Sequence, residues 1–80
     1  MSSLNWLIKW FAENGNNVDN IEDHLNENYF DLEYIDSFTF IMLISAIEDE
    51  LGISFDNVEF QKREFATING LAKIIEEKRI

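Results

Sequence analysis

A hydroxyl set directly behind a carboxylate, Asp36-Ser37, is the pairing in this chain with the most chemical content. Ser37 opens a strongly amphipathic stretch, so its Oγ stands where a helix begins and where unpaired N–H groups favour an anion. A serine at the first turn of a helix is exposed. Asp-Ser alone is weak evidence, because these residues are common at helix starts simply to satisfy orphan N–H groups. Other chemistries are poorly served. The single histidine, His24, stands in a loop, with no second His and no Cys to build a metal site or a nucleophile–base pair. An exposed polar loop residue is its plainer reading. The run Glu48-Asp49-Glu50 reads as a solvated helix end, and neither a calcium-binding loop nor a Gly-rich phosphate loop is present. Catalysis by the chain itself is not expected.

Four helical segments must position Ser37. The spacing of Leu4, Leu7, Ile8 and Phe11 predicts a first helix over Ser3 to Asn14, stopped at Gly15. Phe40, Leu43, Ile44, Ile47 and Leu51 share one face of a second helix from Ser37 to Leu51, with Asp36 as N-cap and Gly52 as its close. A short third helix starts at Asp56, where Asp56 and Glu59 resemble a capping box and Phe60 and Phe65 anchor the segment. Ile68, Leu71, Ala72 and Ile75 predict a fourth helix to about Lys78, capped by Thr67, its late basic residues suiting the negative pole of the dipole. Asn16 to Ile35 has apolar residues at irregular intervals and reads as a long loop with a turn of helix near Ile21 to Leu25.

The outward face of the second helix strengthens the reading of Ser37. At about 100° per residue, the side opposite the core carries Phe38, Met42, Ser45 and Asp49, with Ala46 and Glu48 at its flanks. Phe38 and Met42 are apolar groups pointing away from the core beside Ser37, as a transient docking surface requires. The plainer alternative is that Phe38 folds back under the long loop. Trp6 and Trp10 lie on the side of the first helix away from Leu4, Ile8 and Phe11. They cover the long loop or form a second contact patch.

Eighty residues make one domain, residues 1–80. A chain of this size buries only about 60% of its unfolded surface, and 46% hydrophobic residues suffice for such a core despite a net charge of −10. Thirteen of the 16 acids lie between Trp10 and Gln61, a stretch with no Lys or Arg. That field repels nucleic acid and anionic lipid and speeds encounter with basic surfaces, although a solvated acidic surface is the blander account. No run is long enough to span a membrane, Met1-Ser2-Ser3-Leu4 lacks the features of a signal peptide, and the absence of Cys suits a reducing compartment. A cytoplasmic location and a monomer are expected.

Ile35-Asp36-Ser37-Phe38, then Met42-Leu43-Ile44 and Ala46-Ile47-Glu48-Asp49-Glu50-Leu51-Gly52-Ile53, resembles the attachment region of the acyl and peptidyl carrier protein family. Glu64-Phe65-Ala66-Thr67-Ile68 is similar to that family's approach to its last helix. The resemblance covers nearly the whole chain and is strongest from Ile35 to Ile75. It implies an all-α four-helix bundle with a long loop between helices one and two and a short third helix. It also implies a 4′-phosphopantetheine group on Ser37, placed there from coenzyme A by a phosphopantetheinyl transferase that uses a divalent metal. Asp36 would support the modification by helping to place that metal or the incoming phosphate. The arm's thiol would carry acyl or aminoacyl groups as thioesters between enzymes of a fatty-acid, polyketide or related pathway. Phe38, Met42, Ser45, Ala46, Glu48 and Asp49 would meet the basic docking surfaces of loading ligases and acyl-processing enzymes.

The sequence departs from the housekeeping fatty-acid carriers. Phe38 stands where Leu is usual, Tyr34 where Gly is usual, Met42 where an acid is usual, and Ile53-Ser54-Phe55-Asp56 lacks the Pro often found before helix three. The pattern looks closer to specialised stand-alone carriers and to D-alanyl or other aminoacyl carriers. The reading from a different class is an unmodified helical interaction module using Phe38, Met42 and the tryptophans.

Overall fold

Each long helix begins where a side chain just upstream meets one of its orphan N–H groups. Ser2 Oγ accepts from the Asn5 amide at 3.1 Å and starts α1, Ser3–Asn14. Asp36 Oδ1 accepts from the Thr39 amide at 2.8 Å and starts α2, Ser37–Leu51. Thr67 Oγ1 accepts from the Gly70 amide at 3.0 Å and starts α3, Ile68–Lys78. The computed structural model describes residues 2–16, 18–56 and 58–79. Three 3₁₀ turns complete it, at Ile21–His24, Glu59–Gln61 and Arg63–Ala66. Among the described residues there is no strand, only an isolated antiparallel bridge between Asn28 and Thr67. The fold is all-α, and the three long helices span the residues that the periodicity predicts.

The expected short third helix resolves into two 3₁₀ turns, with Asn57 outside the described residues. Lys62 separates the turns in an extended conformation, φ −76° and ψ 139°. Half of the capping box forms: the Asp56 amide donates to Glu59 Oε1 at 3.0 Å. The same carboxylate oxygen takes Lys78 Nζ at 2.7 Å, tying the first turn to the end of α3. The second turn lies directly on α3. A Cβ at Gly70 would stand 2.1 Å from the Glu64 carbonyl oxygen, so only glycine allows this approach. At the end of α2, Gly52 takes the left-handed conformation, φ 67°, and its N–H donates to Glu48 O at 3.1 Å.

The core joins Leu7 and Phe11 of α1, Leu43 and Ile47 of α2, and Ile68, Leu71 and Ile75 of α3, with α1 packed on α3. The buried face of α1 is Ser3, Trp6, Leu7 and Phe11, flanked by half-buried Leu4 and Trp10. This corrects the expected stripe, which included Ile8 and set the tryptophans apart. An indole offers far more apolar area than an isoleucine, and α1 is turned so that Trp6 faces inward. The rings of Trp6 and Trp10 line a groove with Lys9, Glu13 and Glu50, beside the last turn of α2.

The segment joining α1 to α2 is held by side chains rather than by regular structure. Tyr29 is fully buried, its hydroxyl donates to Phe65 O, and its amide donates to Ala66 O at 3.0 Å. Leu25 O accepts from the Asn69 amide at 2.9 Å, satisfying an orphan donor of the first turn of α3. Tyr34 and Ile35 are buried immediately before Asp36, so the chain enters α2 from an anchored position.

Candidate functional site

Ser37 is the first residue of α2 and is exposed. Two adjacent buried residues, Tyr34 and Ile35, fix the approach, and the cap at Asp36 fixes the turn. Hydrogen bonds from the Thr39 amide and then its hydroxyl hold the Asp36 carboxyl below the usual carboxylate range, with the Phe38 amide adding to the effect. Asp36 is therefore ionised at neutral pH, and it remains exposed beside Ser37. An anion on Ser37 Oγ would lie at the positive end of a 15-residue helix.

The other serines are less suited. Ser3 is buried, its Oγ without a hydrogen-bond partner among the described residues. Ser2 Oγ is committed to capping α1. Ser45 is exposed but sits in the middle of α2, away from the helix start, and Ser54 is exposed in the connection after α2.

The outer face of α2 is apolar at its start and acidic at its end. Phe38 is 72% exposed and Met42 46%, so Phe38 does not fold back under the loop. Ile41, 65% exposed, belongs to the same patch. Sequence reasoning missed it, although the helical wheel sets Ile41 about 60° from Phe38, well clear of the core face. Ser45 and Asp49 are exposed on this side. Ala46 and Glu48 are drawn toward the body of the protein. Ala46 is half-buried against the core, and Glu48 Oε2 accepts from the Phe55 amide at 3.1 Å, which ties the end of α2 to the following segment.

One turn into α2, Phe40 faces a cluster of rings. Its centroid lies 5.3 Å from Phe30, 6.2 Å from Phe60 and 6.0 Å from Phe65. These four residues, with Lys62 and Ala66, line an open recess of about 140 Å³. Phe30 and Ala66 bring the connecting segment and the second 3₁₀ turn to the same place. His24 is half-buried in that connecting segment, with Nδ1 against Glu27 Oε2. Among the described residues no group of three His, Cys, Asp or Glu side chains is arranged to hold a metal. No described helix is long and apolar enough to cross a membrane.

An all-α domain whose second long helix begins at an exposed, aspartate-capped serine is the class that fold and site define. The chain belongs to the phosphopantetheine attachment site family, whose model matches residues 13–75, most of its length. The match runs from the end of α1 through α2 and into the last turns of α3. No curated protein and no solved structure matches the chain significantly. Its cofactor is therefore covalently attached 4′-phosphopantetheine, and the protein is a phosphopantetheine-carrying carrier. Carrier domains of this family are not catalytic themselves. They partner with phosphopantetheinyl transferases and acyl-processing enzymes.

Proposed function

We propose that Ser37 is the attachment point, and that the protein carries acyl or aminoacyl groups as thioesters between the enzymes of a biosynthetic pathway in the cytoplasm. The carrying observation is the position of Ser37: exposed, first in α2, capped by Asp36 and inside the matched span. In the modification, Ser37 Oγ attacks the pyrophosphate phosphorus of coenzyme A that bears the pantetheine. An O–P bond forms, the pyrophosphate P–O bond breaks, and the nucleotide phosphate leaves with the bonding pair. The hydroxyl proton passes to a base of the transferase. The helix N-terminus favours the resulting phosphodiester anion, and Asp36 orders the turn while its exposed charge helps to place the transferase's metal. Once attached, the arm supplies a terminal thiol for thioester formation.

The same helix is the docking surface in this reading. Phe38, Ile41 and Met42 supply apolar contact, and Ser45 and Asp49 continue the face toward its acidic end. With a net charge of −10, encounter with basic partner surfaces is steered and salt-sensitive, which suits a shuttle that must also leave. The experiment is incubation with coenzyme A and a broad-specificity phosphopantetheinyl transferase, followed by weighing the intact protein. A gain of one phosphopantetheine on the parent and none on Ser37→Ala is expected. An equal gain on the variant, or none on the parent, refutes the assignment.

A further inference from the structure

We propose that the recess beside α2 receives an aromatic acyl group carried by the arm, an inference that rests on Ser37 being the attachment point. The recess begins one turn from Ser37, because Phe40 stands three residues along the same helix. Four rings from separate segments surround it: Phe30 from the connecting segment, Phe40 from α2, and Phe60 and Phe65 from the two 3₁₀ turns. Phe30 and Phe60 are 37% and 39% exposed and form its rim, leaving apolar ring surface turned to water. An occupant that covers that surface is favoured by the hydrophobic effect.

Depth and lining select the kind of occupant. The volume of about 140 Å³ is that of a single ring, since an apolar cavity of about 150 Å³ takes one benzene. Behind the recess the space is already filled. Phe65 is buried, Tyr29 is fully buried, and Phe55 packs edge-on against Phe65 at 5.1 Å. A long alkyl chain would find no continuing channel there. A ring, in contrast, meets faces and edges of other rings at the offset and perpendicular geometries that aromatic pairs prefer, beyond what area alone provides. Lys62 lies at the same opening and offers a donor to a carbonyl or ring-borne oxygen. An aryl thioester therefore gains over an alkyl thioester of similar size by roughly two- to twelvefold in occupancy, the aromatic-pair preference expressed as a ratio.

The test loads the full chain from benzoyl-coenzyme A and, separately, from hexanoyl-coenzyme A with the same transferase. The phosphoryl transfer to Ser37 is the one described above, with the acyl thioester already in place on the arm. Intact mass and the Ser37→Ala variant report loading. Nuclear Overhauser contacts report position, and the alkaline hydrolysis rate of each thioester, relative to the same thioester on coenzyme A, reports shelter. Contacts from benzoyl protons to Phe30, Phe40 and Phe60 are expected, with protection roughly two- to twelvefold greater than for hexanoyl. Phe60→Ala, a rim substitution whose helicity is checked by circular dichroism, is expected to reduce both. Benzoyl loaded on Ser37 without those contacts, or protected no better than hexanoyl, overturns the proposal and leaves the carrier reading intact. Failure of both thioesters to load on Ser37 overturns the proposal and the carrier reading together.

Discussion

Tyr29 ties the irregular segment before α2 to the 3₁₀ turn before α3, and replacing it with phenylalanine isolates that tie. The ring stays, packed 5.2 Å from Phe11 and 5.0 Å from Phe30. The hydroxyl goes, and with it the hydrogen bond to Phe65 O. The partner carbonyl is left buried and unpaired, which costs about 1–3 kcal/mol. For a domain of this size each kcal/mol moves Tm by about 4–8 °C, so a fall of roughly 5–20 °C is expected. The pH dependence gives an independent check. Burial raises the Tyr29 pKa above its ordinary value. The folded state therefore holds the phenolic proton after the unfolded chain has released it. This contribution is fully present below about pH 10 and is lost as pH rises beyond it, at up to about 1.4 kcal/mol per pH unit. Chemical denaturation at a series of pH values should show that alkaline slope in the parent and a shallower one in Tyr29→Phe. Tyr34 leaves a remainder, because burial, then the charges of Glu27 and Asp19, raise its pKa as well. A variant that melts within about 2 °C of the parent, with an unchanged alkaline slope, refutes the assignment of Tyr29 as the tie.

Gly70→Ala should destabilise the protein by about 1–3 kcal/mol in urea titration, because its Cβ would stand 2.1 Å from the Glu64 carbonyl oxygen. Paired Phe38→Ser and Ile41→Ser substitutions should change stability by less than about 0.5 kcal/mol each, since both side chains are mostly exposed. The same pair should slow modification by the transferase, measured as kcat/KM at low salt. The Glu59–Lys78 pair should make stability fall in acid. Burial pushes the Glu59 carboxyl up, but the hydrogen bond from Lys78 and that from the Asp56 amide outweigh it, so its pKa is lowered. The contribution is present above the unfolded-state value and lost as pH drops through the folded one, so Glu59→Gln should flatten the acid limb of a Tm-against-pH curve.

The helix ends were legible because each is marked by local chemistry: Asp36, Thr67 and Gly52 act on amides and carbonyls within four residues of themselves. Tyr29 was only one of several irregularly spaced apolar residues, because its role depends on Phe65, 36 positions away. The third segment forms two 3₁₀ turns rather than one helix for a similar reason. Glu59 is shared between a local amide and Lys78 at the far end of α3, and the following turn is pressed against Gly70. Periodicity misjudged α1 because four apolar residues at helical spacing define a stripe, whereas the area of an indole decides which way the helix turns. On the face of α2, Phe38 and Met42 were recognisable and lie exposed, while Ile41 was passed over although the same wheel includes it. The long-range burial of Ala46 and the Glu48–Phe55 contact left no local mark.

Fragmentation of the intact modified protein in the mass spectrometer locates the added group residue by residue. A single phosphopantetheine on Ser37 is expected. A group found on Ser45 or Ser54, or an unmodified chain after full exposure to coenzyme A and transferase, contradicts it.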